Sequence, residues 1–142
     1  MQAALAGART AERSGEVPVG AVVVLDDRVI GTGHNSPITA HDPTAHAEML
    51  AIREAAATIG NYRLDGATLY CTLEPCIMCA GALVNARIAR LVFGARDLRF
   101  GGVRSKFRLA DADVLNHRVE IEEGVLGAQC AELLERFFRG KR

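Results

Sequence analysis

Pro75-Cys76-Ile77-Met78-Cys79 sits between two apolar stretches, Ala67–Leu73 before it and Ile88–Gly94 after it. Both stretches have the length and composition of buried strands. Glu74-Pro75 breaks the first of them. Proline is at home in the first turn of a helix, so the residues from there to about Ala86 are predicted to be helical. The result is a strand, a helix opened by two cysteines, and a strand. Upstream, His46-Ala47-Glu48 falls in a second helical pattern. Asp42 suits an N-cap and Pro43 a first helical position, which predicts a helix from Pro43 to about Ile59, stopped by Gly60-Asn61. Further out, Ala3–Arg13 reads as a helix ending near Gly15. Val19–Leu25 and Arg28–Thr32 read as a hairpin turning at Asp26-Asp27, and Gly31 to Pro37 as a loop holding Asn35. Arg118–Ile121 is a short strand and Gln129–Phe138 a closing helix. Strands alternating with helices predict an α/β domain, with helices packed on a central sheet whose strand order the pattern does not give.

The 142 residues, 49% of them apolar, suit one domain, spanning 1–142, with a core of its own. There is no internal repeat, low-complexity tract or long linker. The longest apolar run, around Ala21–Leu25, is too short to span a bilayer. Met1 to Ala11 resembles an Ala-rich helix rather than a basic-then-apolar leader. The expectation is a cytoplasmic protein with no membrane partner.

His46, Cys76 and Cys79 are three residues of metal-binding type. Cys76 and Cys79 are three apart, so both thiols can face one way on a helix. A helix N-terminus carries partial positive charge and favours the thiolate that zinc needs. Three protein ligands leave one tetrahedral position for water, the pattern of a catalytic rather than a structural zinc site. Glu48 is two residues from His46, about 200° around a helix, so it is poorly placed to ligate beside it. Its carboxylate can still reach a water at the ion, take a proton from it and pass that proton to substrate. Without the cysteine string, a solvated helix glutamate would be the better reading. A thioredoxin-like pair is the other meaning of C-x-x-C, but it leaves His46 and Glu48 unexplained. Cys71, inside a strand, and Cys130, inside a helix, read as buried, inert thiols. His34, His41 and His117 are not expected to ligate; His41 is the nearest alternative to His46 but precedes the helix start.

The two strings match the H-x-E…P-C-x-x-C signature of zinc nucleobase deaminases. The chain resembles the bacterial tRNA-specific adenosine deaminases over almost its whole length, from about Glu16 to Phe138. The resemblance is carried by Glu16–Ala21, His34–Ile38, Asp42–Glu48, Asn61–Leu64, Thr72–Ala82, Phe93–Asp97 and Asn116–Glu120. It implies a cytidine deaminase-like three-layer fold, with a mixed five-strand central sheet flanked by helices, and a homodimer. It implies hydrolytic deamination of adenosine to inosine at the wobble position of a tRNA anticodon, expected to be that of an arginine tRNA. His46, Cys76 and Cys79 match the family's ligands for one zinc ion per subunit, and Glu48 matches its proton shuttle. Asn35 matches an asparagine that hydrogen-bonds the purine, although such a residue in a Gly-rich loop is more often a turn former. Asp97 matches a position near the substrate backbone. Phe138 and Arg139 match the closing helix, whose end meets the anticodon loop. Core packing is the competing reading of Phe137 and Phe138, and it is expected for at least one of them. The chain departs from the family pattern at Phe100–Val103 and Ala110–Leu115, where RNA would be gripped. It also starts closer to the first helix, which is expected to lack a turn.

Formal net charge is zero, which argues against a non-specific nucleic-acid binder. The charge is unevenly spread. Arg87, Arg90, Arg96, Arg99, Arg104, Lys106 and Arg108 face only Asp97 within their own stretch, and Arg136, Arg139, Lys141 and Arg142 close the chain. Such segments serve either as an RNA footprint or as solvated surface. The alternative within the superfamily is a free-base deaminase acting on guanine or cytosine, which has no phosphates for these arginines to meet. A zinc-stabilised binding module is the alternative outside enzymes. It would need a fourth protein ligand, and only Glu48 is on offer.

Overall fold

Gly20-Ala21-Val22-Val23-Val24-Leu25 has the β-branched content that fits a pleated, buried surface, and it forms strand β1 (Gly20–Leu25). The computed structural model describes residues 1–141. Arg142, one of the basic residues closing the chain, lies outside them. β1 follows helix α1 (Gln2–Arg13) and turns into β2 (Arg28–His34) through Asp26 and Asp27 alone. Both have positive φ, 51° and 61°, as the tight turns of two-residue hairpins require. A one-turn helix α2 (Pro37–Ala40) leads to α3 (Ala47–Ile59). β3 (Thr68–Leu73), α4 (Ile77–Asn85), β4 (Arg90–Ala95), β5 (Glu120–Glu123) and α5 (Gly127–Arg139) complete the chain.

The strands form one five-stranded sheet in the order β2-β1-β3-β4-β5. β1 pairs antiparallel with both β2 and β3, whereas β3–β4 and β4–β5 are parallel, so the sheet is mixed. The larger core lies between the sheet and α3 and α4, where Val23, Leu69, Leu91 and Phe93 meet Ala51, Ala55 and Leu83. On the other face, Leu5 and Ala8 of α1 pack with Cys130 and Leu133 of α5. The architecture is therefore α/β in three layers, as expected.

The helix facing β2 sits unusually close to it. A Cβ on Gly33 would lie 2.2 Å from the Ala47 carbonyl oxygen, and one on Gly31 would lie 2.2 Å from that of Ala51. Only glycine allows this approach, and it seats the first turn of α3 directly on the sheet.

Several boundaries differ from the sequence reading. α3 starts at Ala47, not Pro43, because Asp42 closes a local turn instead of a helix. Its Oδ1 accepts from the Thr44 N–H at 2.8 Å and the Thr44 hydroxyl at 2.7 Å. α4 starts at Ile77 rather than Glu74, since Pro75 occupies the connection and Cys76 the cap. β2 runs two residues further, to His34, and α2 forms where the loop expected for Gly31 to Pro37 ends, over residues for which the sequence predicts no element. The last strand lies at Glu120–Glu123 rather than Arg118–Ile121, where Leu91 and Val92 of β4 offer their edge. Phe137 is half-buried and Phe138 is 45% exposed, so neither joins the core, contrary to expectation. Among the described residues, no helix is long and apolar enough to cross a membrane.

Candidate active site

His46 and Cys76 are the N-cap residues of α3 and α4, both with extended backbone, at φ −76° and −74° respectively. Each cap turns its side chain out of the chain's path just before the helix begins. Cys79 follows one turn into α4. The three side chains converge, with Cys76 Sγ 3.5 Å and Cys79 Sγ 3.6 Å from His46 Nδ1. All three donor atoms lie within 4.8 Å of one another. Bond lengths of about 2.3 Å to sulfur and 2.0 Å to nitrogen put adjacent donors of a tetrahedral zinc site about 3.6 Å apart. The cluster therefore fits one zinc ion through two sulfurs and Nδ1. His41 is not part of it; it is exposed, with a left-handed backbone at the end of α2.

The electrostatics suit a cation. The Cys79 thiol donates to Cys76, and with the help of His46 this pulls Cys76 down to about 4. Cys79, the donor, is pushed up by the same contact and by burial. His46 is raised by its hydrogen bond with Cys76, and the nearby Glu48 charge adds to this. A metal ion replaces these shared protons, so ion binding and proton release are linked.

Glu48, at the second position of α3, is only 4% exposed. Burial pushes its carboxyl above the ordinary range, while its own backbone amide and His46 pull the other way. It lines a cavity of about 280 Å³ together with Val17, Val19, Asn35, His46, Leu73, Glu74, Cys76, Asp97 and Phe100. Asn35 Oδ1 accepts from the Ala47 N–H at 3.0 Å. That N–H can only donate, so the amide is oriented with its oxygen on α3 and its NH2 group free to donate. A groove of about 480 Å³ continues from this cavity, sharing Val17, Leu73, Asp97 and Phe100 and adding Arg99, Leu134 and Phe138.

The sequence profile of the cytidine and deoxycytidylate deaminase zinc-binding region matches residues 1–95. A tRNA-specific adenosine deaminase of Haemophilus influenzae is 51% identical over 143 residues, covering 100% of this chain and 83% of its own. A structure from a study of A-to-I editing by tRNA:A34 deaminases at the wobble position of transfer RNA superposes with a TM-score of 0.91 at 46% identity, covering 94% of this chain and 97% of its own. The chain belongs to the tRNA-specific adenosine deaminases. The guanine deaminase of Nitrosomonas europaea shares the fold at a TM-score of 0.80, over 94% of this chain and 80% of its own, but at 23% identity. That likeness concerns the fold alone.

Within this deaminase, His46, Cys76 and Cys79 cluster, and Glu48, Asn35 and Asp97 share their cavity. Phe138 lines the adjoining groove, whereas Arg139 is exposed at the end of α5 and lines neither. The basic stretch is largely consumed within the fold. Arg87 bonds Asn116, Arg90 pairs with Glu122, Arg96 with Glu123, and Arg104 with Asp111. Arg99, Lys106 and Arg108 carry no carboxylate partner among the described residues.

Two carboxylates escaped the sequence reading. Glu16, 2% exposed, accepts from the Ile38 N–H and from the Thr39 N–H and hydroxyl, the last two at 2.7 Å. It thereby ties down α2. Glu74, also 2% exposed, accepts five hydrogen bonds from residues 97–105. Burial raises its carboxyl, but the Ser105 hydroxyl and the amides of Arg104, Ser105 and Asp97 outweigh that and leave it below the ordinary range. The signal in the sequence was their place within stretches that carry the family resemblance, Glu16 opening Glu16–Ala21 and Glu74 inside Thr72–Ala82, with no role attached to either.

Proposed function

We propose that the chain hydrolyses adenosine to inosine at the wobble position of a tRNA anticodon, releasing ammonia. The observation that carries this reading is a three-donor metal cluster at the wall of a cavity that a buried carboxylate also lines, in a chain so like the tRNA-specific deaminases throughout. His46, Cys76 and Cys79 hold the zinc ion. When bound, zinc lowers the pKa of a water and so supplies a nucleophile near neutral pH. Glu48 takes one proton from the attacking water and delivers it to the ring nitrogen, then takes the remaining proton of the added hydroxyl as the carbonyl forms and delivers it to the departing amine, which leaves as ammonia. Asn35 donates its amide NH2 to an acceptor on the base edge. A base reaches such a cavity only when unstacked and turned out of the loop.

The adjoining groove, with Phe100, Phe138 and the Arg99 guanidinium 5.5 Å from the Phe100 ring, suits a neighbouring base. Asp97 lies between the two spaces. Arg139 serves as a phosphate contact of the anticodon stem-loop, expected to be that of an arginine tRNA. The chain acts as a single domain in the cytoplasm and as a homodimer. Dimerisation is supported by an apolar groove between α3 and α4, lined by Ile52, Ala56, Tyr62 and Ala82, with Tyr62 72% exposed.

Incubating the zinc-loaded protein with an anticodon stem-loop carrying wobble adenosine, and separately with guanine, tests the reading by mass analysis. Inosine should appear in the RNA and guanine should be untouched. Guanine turnover without RNA turnover would overturn it in favour of a free-base deaminase.

A further inference from the structure

We propose that Glu74 is a positioning residue, which shapes the substrate-facing wall of the cavity by holding residues 97–105 from its buried place after β3. Oε1 accepts from the Asp97 N–H at 3.1 Å and from the Ser105 hydroxyl. Oε2 accepts from the N–H groups of Val103 at 3.1 Å, Arg104 at 2.7 Å and Ser105 at 2.9 Å. Four of the five donors are therefore backbone amides, and they come from both ends of the segment. No lysine or arginine forms an ion pair with Glu74 among the described residues. The carboxylate is committed to the backbone of one loop, and charge-assisted bonds of this kind are among the stronger ones a protein makes.

The fit is two-sided. A Cβ on Gly101 would lie 2.4 Å from Glu74 Cδ, so the loop has a glycine where it passes over the carboxylate. Gly102 donates its N–H to Pro75 O at 2.8 Å, and Gly101 bridges Cys76. The segment thus folds around the residues that connect β3 to α4. Its outward side carries Asp97 and Phe100 into the reaction cavity. Asp97 Oδ1 accepts from the N–H groups of Arg99 and Phe100 at 3.0 and 3.1 Å, so that turn is itself braced. The metal donors, by contrast, are held at the starts of α3 and α4, and of the three only Cys76 is bridged to the segment, by its backbone. Releasing Glu74 frees the wall and leaves the donors in place.

This inference rests on the deaminase reading, and the test separates the two. Glu74→Gln keeps the size of the side chain but turns an NH2 group toward amides that need an acceptor. In the full-length zinc-loaded protein, KM for the wobble-adenosine stem-loop should rise about tenfold or more, while kcat changes by less than about threefold and one zinc is retained. Amides of 97–105 should exchange with solvent faster, and those of α3 and α4 should not. An unchanged KM, a fall in kcat alone, or loss of zinc in step with activity would overturn the proposal. If wild type leaves the stem-loop unedited, the functional reading fails, and the exchange pattern alone decides whether Glu74 anchors the loop. If Glu74→Gln does not fold, Ser105→Ala removes one donor. A KM rise of about threefold is then expected, and unchanged KM and exchange would overturn the proposal.

Discussion

Glu48 and Asn35 each have a setting that their neighbours in sequence do not reveal. Glu48 is adjacent to the first residue of α3 yet sealed from solvent except through the cavity. Replacing it with alanine should leave one zinc per chain and reduce turnover by at least about a hundredfold, the scale of a lost proton relay. Metal analysis of the variant checks the assignment, since loss of zinc would make Glu48 a ligand instead. Asn35 uses its oxygen to cap α3 and keeps its NH2 group for the cavity. Asn35→Asp retains an acceptor for the Ala47 N–H, whereas Asn35→Ala does not. Both should raise KM about tenfold, but only the alanine variant should lose stability, by about 1 kcal/mol. Thermal unfolding beside steady-state kinetics separates the two effects.

At the scale of elements, α3 is placed by a contact between glycines and helix backbone. Gly33→Ala would put a methyl group 2.2 Å from the Ala47 carbonyl. It should destabilise the fold by about 2 kcal/mol or more and weaken zinc binding, because His46 is the residue on which α3 begins. Urea midpoints and competitive zinc titration measure the two losses. Most elements were legible from composition and periodicity, because strand, helix and turn signals there are local. The beginnings of α3 and α4 were not. Asp42 followed by Pro43 has the local chemistry of a helix start, but the cap that α3 uses comes from Asn35, 12 residues away in sequence. The metal string was legible because zinc ligands must be particular residue types at particular spacing. Glu16 and Glu74 were not, because any carboxylate can accept amides and only the fold brings the amides to it.

For the whole molecule, metal and protons set stability. The three donors come from two helices, so binding free energy at the cluster is also folding free energy. Chelating the zinc should lower Tm by about 10 °C, and readdition should restore it. Scanning calorimetry on the stripped and reloaded protein reads this directly. Acid should act independently through Glu16. Burial raises its carboxyl, but the amide and hydroxyl of Thr39 and the amide of Ile38 outweigh that, so its folded pKa lies below the ordinary 4.5. A depressed carboxyl stabilises the fold fully above that value and loses the effect as pH falls through the folded pKa. Asp111 and Glu123 act in the same direction through Arg104 and Arg96. Glu16→Gln should therefore be less stable than wild type at neutral pH, with the gap closing below pH 4.5. Urea midpoints across that range would show a constant gap if Glu16 contributed no charge-dependent stability.

The segment 97–105 contributes no strand to the sheet and no helix to either layer, yet it faces what enters the cavity. It is one contiguous stretch, fastened at its base to the Glu74 carboxylate and to the backbone of Pro75 and Cys76. Such a part can be exchanged as a unit. A graft that keeps the Gly101-Gly102 crossing and the Ser105 hydroxyl would import a different wall onto an unchanged metal scaffold, so retuning what this enzyme accepts reduces to rewriting a few adjacent codons.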